Sequence, residues 1–366
     1  MKKLGNIDKP LLISVVILAL FGFFIFASAS LGLLAREGAS FGSIAFNQLI
    51  GLIIGFAALF YIANSEIHYK ILRKHAFYIL VGAIFINCLL FIPGLALEHG
   101  GAKRWIDLGF VTFQPSEILK AAFIIYFAAW LSGVKEKAQS FKFGILPFCI
   151  IMAILGALLF SQSDTDTFVV IFATGLAMLI VAGAKFRHIL LMVLMAAVCV
   201  GAIVYMRPYA KQRIMTYLNP SADPYGSGYQ IQQSLIAIGS GQFAGRGFGQ
   251  SIQKFNYLPE PIGDSIFAVA AEEFGFLGSV LLISLYLVFG MRAFKIAGQV
   301  GDPFGGLLVI GIVILILIES FMNIGAMLGV IPLSGQPLLF VSHGGTALII
   351  ALMEAGIILN ISKYAK

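Results

Sequence analysis

The chain has 366 residues, 60% of them hydrophobic and 11% charged, with a net charge of +7. A soluble domain carries roughly 25% charged residues, so this composition excludes a water-soluble globular protein and indicates a polytopic membrane protein. The 33 Phe and 40 Gly fit that class, and the excess Lys and Arg lie in short loops, where they orient a membrane protein rather than bind nucleic acid.

A spanning helix needs about 20 mostly apolar residues. Ten runs qualify, at roughly 10–30, 44–64, 76–94, 114–132, 145–162, 166–184, 188–206, 264–290, 303–328 and 342–362. The expected fold is therefore all-α: a single integral-membrane domain over 1–366 with about ten transmembrane helices. Lys2, Lys3, Lys9, Lys70, Arg73, Lys74, Lys135, Lys137, Lys142, Lys185, Arg187, Arg292, Lys295, Lys363 and Lys366 all fall on one side of that topology. The short loops opposite hold only Arg36, Lys103 and Arg104. The positive-inside rule then places both termini in the cytoplasm. The first run ends in "FASAS", which resembles a signal-peptide cleavage site, but it is longer than an ordinary signal core and reads as an uncleaved span. One long outer loop, about 207–263, joins the seventh and eighth spans; within it "YQIQQSLIAIGSG" reads as a short amphipathic helix at the interface. "GLIIG" at Gly51 to Gly55 has the spacing of close helix packing.

Charged groups inside a bilayer cost a few kcal/mol each and usually face a partner or a cavity. Glu117 and Lys120 share one helix face, either as a self-neutralising pair or as part of a site. In "SQSDTDT", Asp164 and Asp166 either cap the sixth helix or hold a divalent cation or a sugar hydroxyl. Asp264 either caps the eighth span or acts as a general base, a partly desolvated carboxylate at the membrane edge. Glu319 and Glu354 lie within apolar runs and read as packed, paired carboxylates rather than catalysts; Glu272 and Glu273 either pair with Lys120 or line a groove. Cys88, Cys149 and Cys199 are widely spaced and read as small buried side chains; the five histidines show no metal-ligand spacing, and no P-loop occurs. The outer side gathers cations (Lys103, Arg104, Arg246, Lys254), carboxylates (Asp164, Asp264) and aromatics (Trp105, Tyr229, Tyr257). That set suits a substrate with a lipid tail, a phosphate linker and a polar head.

With "GAKRWIDLG…FQPSEILK", "QSDTDT", "GSGYQIQQSLIAIGSG", "YLPE…DSIFAVAAEEFGFLG" and "VIPLSGQPLLFVSHGG" in order along most of the chain, the sequence resembles the SEDS family (shape, elongation, division and sporulation). The stretch up to "YLPE" is closer to its FtsW branch than to its RodA branch. The resemblance implies a peptidoglycan glycosyltransferase of the bacterial inner membrane. Such an enzyme polymerises lipid II, a disaccharide-pentapeptide on undecaprenyl diphosphate, with a class B penicillin-binding transpeptidase and other divisome proteins as partners. It puts the catalytic aspartate at Asp264 and substrate-binding residues at Arg104, Gln114, Glu117, Lys120 and Asp164; Lys103, Trp105, Arg246, Lys254 and Glu260 complete the candidate set. A divalent cation, Mg or Mn, with unassigned ligands, is the expected cofactor. The chain departs from the family pattern at Ser163, Asp166, Gln336, His343 and Thr346, and with Gly263 and Ser265 around Asp264.

The implied chemistry is a single displacement. Asp264 takes the proton of an acceptor hydroxyl, the oxygen attacks the donor's anomeric carbon with inversion, and undecaprenyl diphosphate leaves, its charge met by Lys103, Arg104 and Lys120 or by the cation. A lipid II flippase and a non-catalytic divisome scaffold are the alternatives.

Overall fold

The structure, a computed structural model, describes residues 6–35, 41–66, 68–99, 102–107, 112–206, 208–219 and 226–365. Among the described residues twelve α-helices follow in order: α1 Lys9–Ser30, α2 Phe41–Asn64, α3 Lys70–Cys88, α4 Pro115–Val134, α5 Leu146–Ser161, α6 Thr165–Val181, α7 Phe186–Met206, α8 Pro208–Leu218, α9 Ser227–Ser240, α10 Ile266–Gln299, α11 Pro303–Met327 and α12 Gly345–Ser362. Among the described residues, eight helices are long and apolar enough to cross a membrane, and two shorter apolar helices, α6 and the first part of α7, accompany them. The amphipathic helix expected in the long loop is α9, and α8 precedes it. Lys2, Lys3, Arg36 and Lys366 lie outside the described residues.

Three departures from the sequence-based expectation have physical reasons. The third helix begins at Lys70 rather than near 76, because long basic side chains extend a helix into the interface while their heads stay in water. The segment between α3 and α4 forms a small antiparallel sheet of β1 Ala96–His99, β2 Ala102–Asp107 and β3 Thr112–Phe113, in that order. The eighth span runs on to Gln299 and is broken at Gly275 (φ 65°, ψ −160°), a backbone conformation essentially restricted to glycine.

Packing follows the small residues. A Cβ on Gly55 of α2 would stand 2.4 Å from Leu352 Cδ1 of α12, and one on Gly356 of α12 would stand 3.0 Å from the Leu59 carbonyl, so these helices touch through glycine. Residues near the two ends of the chain, Asp8 and Ser362, meet at one end of the bundle. Asp8 caps α1 through Leu11 N (2.9 Å), pairs with Arg292 near the end of α10 (2.7 Å), and its amide donates to Ser362 Oγ (3.0 Å). Asp8 titrates below the usual carboxylate range, because the Arg292 guanidinium and the Leu11 amide outweigh the opposing effect of its burial. The β-sheet, α8, α9 and the α11–α12 loop belong to the opposite end.

Candidate active site

Asp264 sits in the turn that leads into α10. Ser265, not Asp264, is the N-cap residue, and it makes no side-chain cap bond. The turn is held through its backbone instead: Gly263 N and Ser265 N donate to Glu260 O (3.1 Å each), Asn323 Nδ2 of α11 donates to Asp264 O (2.8 Å), Ser342 Oγ donates to Gly263 O (2.8 Å), and His343 N donates to Ile262 O (2.7 Å). Gln230 of α9 adds a bond from Nε2 to Ser265 Oγ (3.0 Å). The main chain around Asp264 is thus fixed from three elements, and its carboxyl faces a cavity of about 330 Å³ lined also by Gln212, Arg213, Thr216, Gln230 and Gly335.

Three charged side chains converge on Gly335. The point its Cβ would occupy lies 3.6 Å from Asp166 Oδ2, 3.7 Å from Arg104 Nη1 and 3.8 Å from Asp264 Oδ2. Arg213 Nη1 of α8 donates to Asp166 Oδ1 (3.0 Å) and Oδ2 (2.8 Å), and Gly335 N donates to Oδ2 (3.1 Å). Asp164 is the N-cap of α6, accepting from Thr167 N at 3.5 Å. It also faces Arg104 Nη1 at 3.8 Å, and Arg104 Nη2 donates to the Ser163 carbonyl. The carboxyl of Asp264 is pushed up to about 7, chiefly by burial and then by the negative charges of Glu260 and Asp166; Arg213 and Arg104 offset part of this. That is the range a general base needs at neutral pH.

The other sequence candidates are not all brought to this cavity. Lys120 is wholly buried between Glu117 Oε1 (2.9 Å) and Glu319, so its charge is already met. Gln114 donates to Ser116 Oγ (3.1 Å) at the start of α4. Lys254, read as an outer cation, is buried against Glu273 (2.7 Å), and Arg246 faces Glu272 (3.4 Å). Glu272 and Glu273 pair with these residues, not with Lys120. They also accept the backbone N–H groups of Ser251, Ile252 and Gln253, which ties residues 241–255 to α10. Trp105 and Lys103 lie on β2 opposite Leu97 and Glu98, and the Lys103 side chain is outside the described residues. Glu260 takes a positive φ of 45° in the Asp264 turn.

Arg213, Gly335, Gln230 and Asn323 are the site residues that the sequence reading missed. Arg213 falls in the long outer loop, and a basic residue in a long loop carries little weight in a topology argument. Among the described residues, no group of three His, Cys, Asp or Glu is placed to hold a metal ion, and Asp164 and Asp166 each face a guanidinium. A divalent cation held by protein carboxylates alone does not fit this arrangement.

A family model for cell cycle proteins of the FtsW, RodA and SpoVE type matches residues 9–366. The chain is 39% identical over 319 residues to stage V sporulation protein E of Bacillus subtilis (strain 168), covering 87% of each. It is 36% identical over 366 residues to the probable peptidoglycan glycosyltransferase FtsW of Geobacter metallireducens, covering 100% of this chain and 97% of the relative. Among solved structures, a chain from work on polymerization and crosslinking by a peptidoglycan synthase complex superposes with a TM-score of 0.80 at 25% identity, over 98% and 99% of the two chains. The rod shape determining protein RodA of Thermus thermophilus superposes with a TM-score of 0.71 at 22% identity, over 97% and 96%. Matched along nearly its whole length by the family model and above 30% identity by full-length relatives, the chain belongs to the FtsW/RodA/SpoVE family of multi-pass membrane proteins.

Proposed function

We propose that this protein is a peptidoglycan glycosyltransferase that polymerises lipid II at the outer face of the bacterial cytoplasmic membrane, in septal wall synthesis. The observation that carries the proposal is Asp264, a carboxyl pushed up to about 7, on a cavity it shares with Arg213 and beside Arg104. A base poised near neutrality takes the acceptor's hydroxyl proton as the oxygen attacks the donor's anomeric carbon, and the two guanidinium groups face the charge that develops on the departing diphosphate. The bond to the diphosphate oxygen breaks as the new glycosidic bond forms, with inversion. The bundle end that holds Asp8, Arg292 and Ser362 also carries Lys70 and Lys363, and by the positive-inside rule this supports a cytoplasmic face there and an outward-facing cavity. Relatives named as probable FtsW glycosyltransferases support the reaction class. A neighbour that works in a peptidoglycan synthase complex supports a class B penicillin-binding transpeptidase as partner.

One observation favours the flippase alternative: Glu117, Lys120, Glu319 and Glu354 are all buried within spanning helices, as charged groups of a transporter often are. None of the four lines the Asp264 cavity.

The test is polymerisation of labelled lipid II by the protein purified with its candidate transpeptidase, with products read as glycan ladders. Wild type is expected to give polymer and Asp264→Ala none. Polymer from both would remove the base; polymer from neither, with a working control enzyme, would move the weight to transport or scaffolding.

A further inference from the structure

The Asp166 carboxylate is held as a bound anion is held. It receives one backbone N–H, from Gly335 at 3.1 Å, and a guanidinium, from Arg213 at 2.8 and 3.0 Å. A second guanidinium, Arg104, stands close by: the point a Cβ on Gly335 would occupy lies 3.7 Å from Arg104 Nη1 and 3.6 Å from Asp166 Oδ2, while Arg104 itself pairs with Asp164. A glycine amide flanked by two arginines is a donor set matched to a phosphate group, whose oxygens take several charge-assisted bonds at once.

Two further facts separate this pair from a packing contact. Arg213 and Gly335 line the cavity that Asp264 faces, and the pair keeps some contact with solvent, with 25% of the Arg213 side chain and 13% of the Asp166 side chain exposed. The buried pair Lys254–Glu273, at 0% and 1%, has no such access. An anion arriving in the cavity therefore reaches Arg213 without unfolding anything.

We propose that Asp166 is a tethered stand-in for a substrate phosphate: its carboxylate occupies an anion seat made by Gly335 N–H and Arg213, with Arg104 beside it, and it gives up that seat to one phosphate of the diphosphate-linked donor. The proposal rests on the reading that a diphosphate enters the Asp264 cavity. Arg213 is then a substrate-binding residue and Asp166 an internal competitor that sets how tightly the diphosphate is held. A site filled part of the time by its own side chain binds more weakly in proportion to the time it is filled. The arrangement favours release of the diphosphate product, since Asp166 returns as the leaving group departs.

Binding of inorganic pyrophosphate to the purified full chain, followed by calorimetry in detergent or nanodiscs, tests this without any glycan being made. Asp166→Asn keeps an acceptor for the Gly335 amide but removes the competing charge. It is expected to bind pyrophosphate about tenfold more tightly than wild type, the scale of one lost charge-assisted bond. The gain should vanish in D166N/R213A, and D166N/R213K, which keeps the charge without the fork, should retain part of it; thermal unfolding of each variant reports whether the chain is still folded. Folded Asp166→Asn that binds no more tightly than wild type, or not at all, overturns the proposal, and so does a gain that survives loss of Arg213. If these affinities behave as expected while wild type never polymerises lipid II, the seat stands and the glycosyltransferase reading falls. Polymerisation with unchanged affinities gives the reverse.

Discussion

Lys254 Nζ stands 2.7 Å from Glu273 Oε1, and neither side chain is exposed by more than 1%. Ser28 of α1 donates to both oxygens of the same carboxylate, at 2.7 and 2.6 Å. The pair therefore joins three elements: α1, the segment 241–255 and α10 immediately before its break. Removing one partner leaves a buried charge without its counter-charge, which costs about 3–5 kcal/mol, whereas removing both for apolar groups costs far less. Glu273→Ala is expected to lower the unfolding temperature sharply, and K254M/E273L to recover most of the loss. A double variant as unstable as the single one would refute this account.

The break in α10 gives a second test. Arg246 N and Gly247 N donate to the carbonyls of Glu272 (3.0 Å) and Glu273 (2.9 Å), while Phe276 N and Leu277 N donate to Gln242 O (2.9 Å) and Phe243 O (3.1 Å). The backbone groups freed by the kink thus bond to the loop that packs into it. A Cβ on Gly275 would fall 2.3 Å from Gly245 N, at a φ of 65°. Gly275→Ala should cost about 1–3 kcal/mol from the backbone conformation alone, with further loss as the segment around Gly245 is pushed away. Thermal unfolding and limited proteolysis of that segment are the readouts.

Titration of Asp264 sets the pH dependence. Its carboxyl is raised to about 7, so below that pH the base is protonated and turnover falls, and above it the rate levels off. The groups acting on it are Glu260 and Asp166, which raise it, and Arg213 and Arg104, which lower it. Removing a like charge favours ionisation, so Asp166→Asn should move the acid limb of the rate profile to lower pH. Arg213→Gln should move it higher. Single-turnover rates of lipid II polymerisation across the neutral range measure both shifts, and a limb that ignores both substitutions would separate Asp264 from the observed titration.

Much of this molecule was legible in its sequence, and what was not shares a cause. Apolar runs of helical length gave the spans, and the i,i+3 spacing of Glu117 and Lys120 gave a pair that the structure contains. The third member, Glu319, is 199 residues from Lys120 and has no local signature. Lys254 read as an outer cation because nothing near it in the chain announces Glu273 or Ser28. The β-sheet went unread because its strands are short and interrupted by glycine. Asp166 was noticed as a departure from a family pattern, but its surroundings depend on Arg213, 47 residues on, and on the amide of Gly335, whose meeting with Asp166 no local spacing announces.

Lys120 and Arg104 were grouped as candidate cations, and their surroundings predict opposite behaviour. Lys120 is 1% exposed and holds together two carboxylates that would otherwise be buried at close range without a counter-charge, with Glu354 buried nearby on α12. Arg104 is 12% exposed beside the Asp264 cavity, and Asp164, which it faces, also has Thr167 N as a cap partner. Lys120→Ala should therefore destabilise the fold by about 3–5 kcal/mol and lose activity as a consequence. K120M/E319Q should restore part of both, because it removes a charge of each sign. Arg104→Ala should leave the unfolding temperature within a few degrees of wild type while cutting the polymerisation rate by about tenfold or more, the scale of one charge-assisted contact to a developing charge. Measuring unfolding temperature and rate on the same preparations separates the two roles. A Lys120→Ala protein with wild-type stability and no activity would bring that lysine back to the substrate.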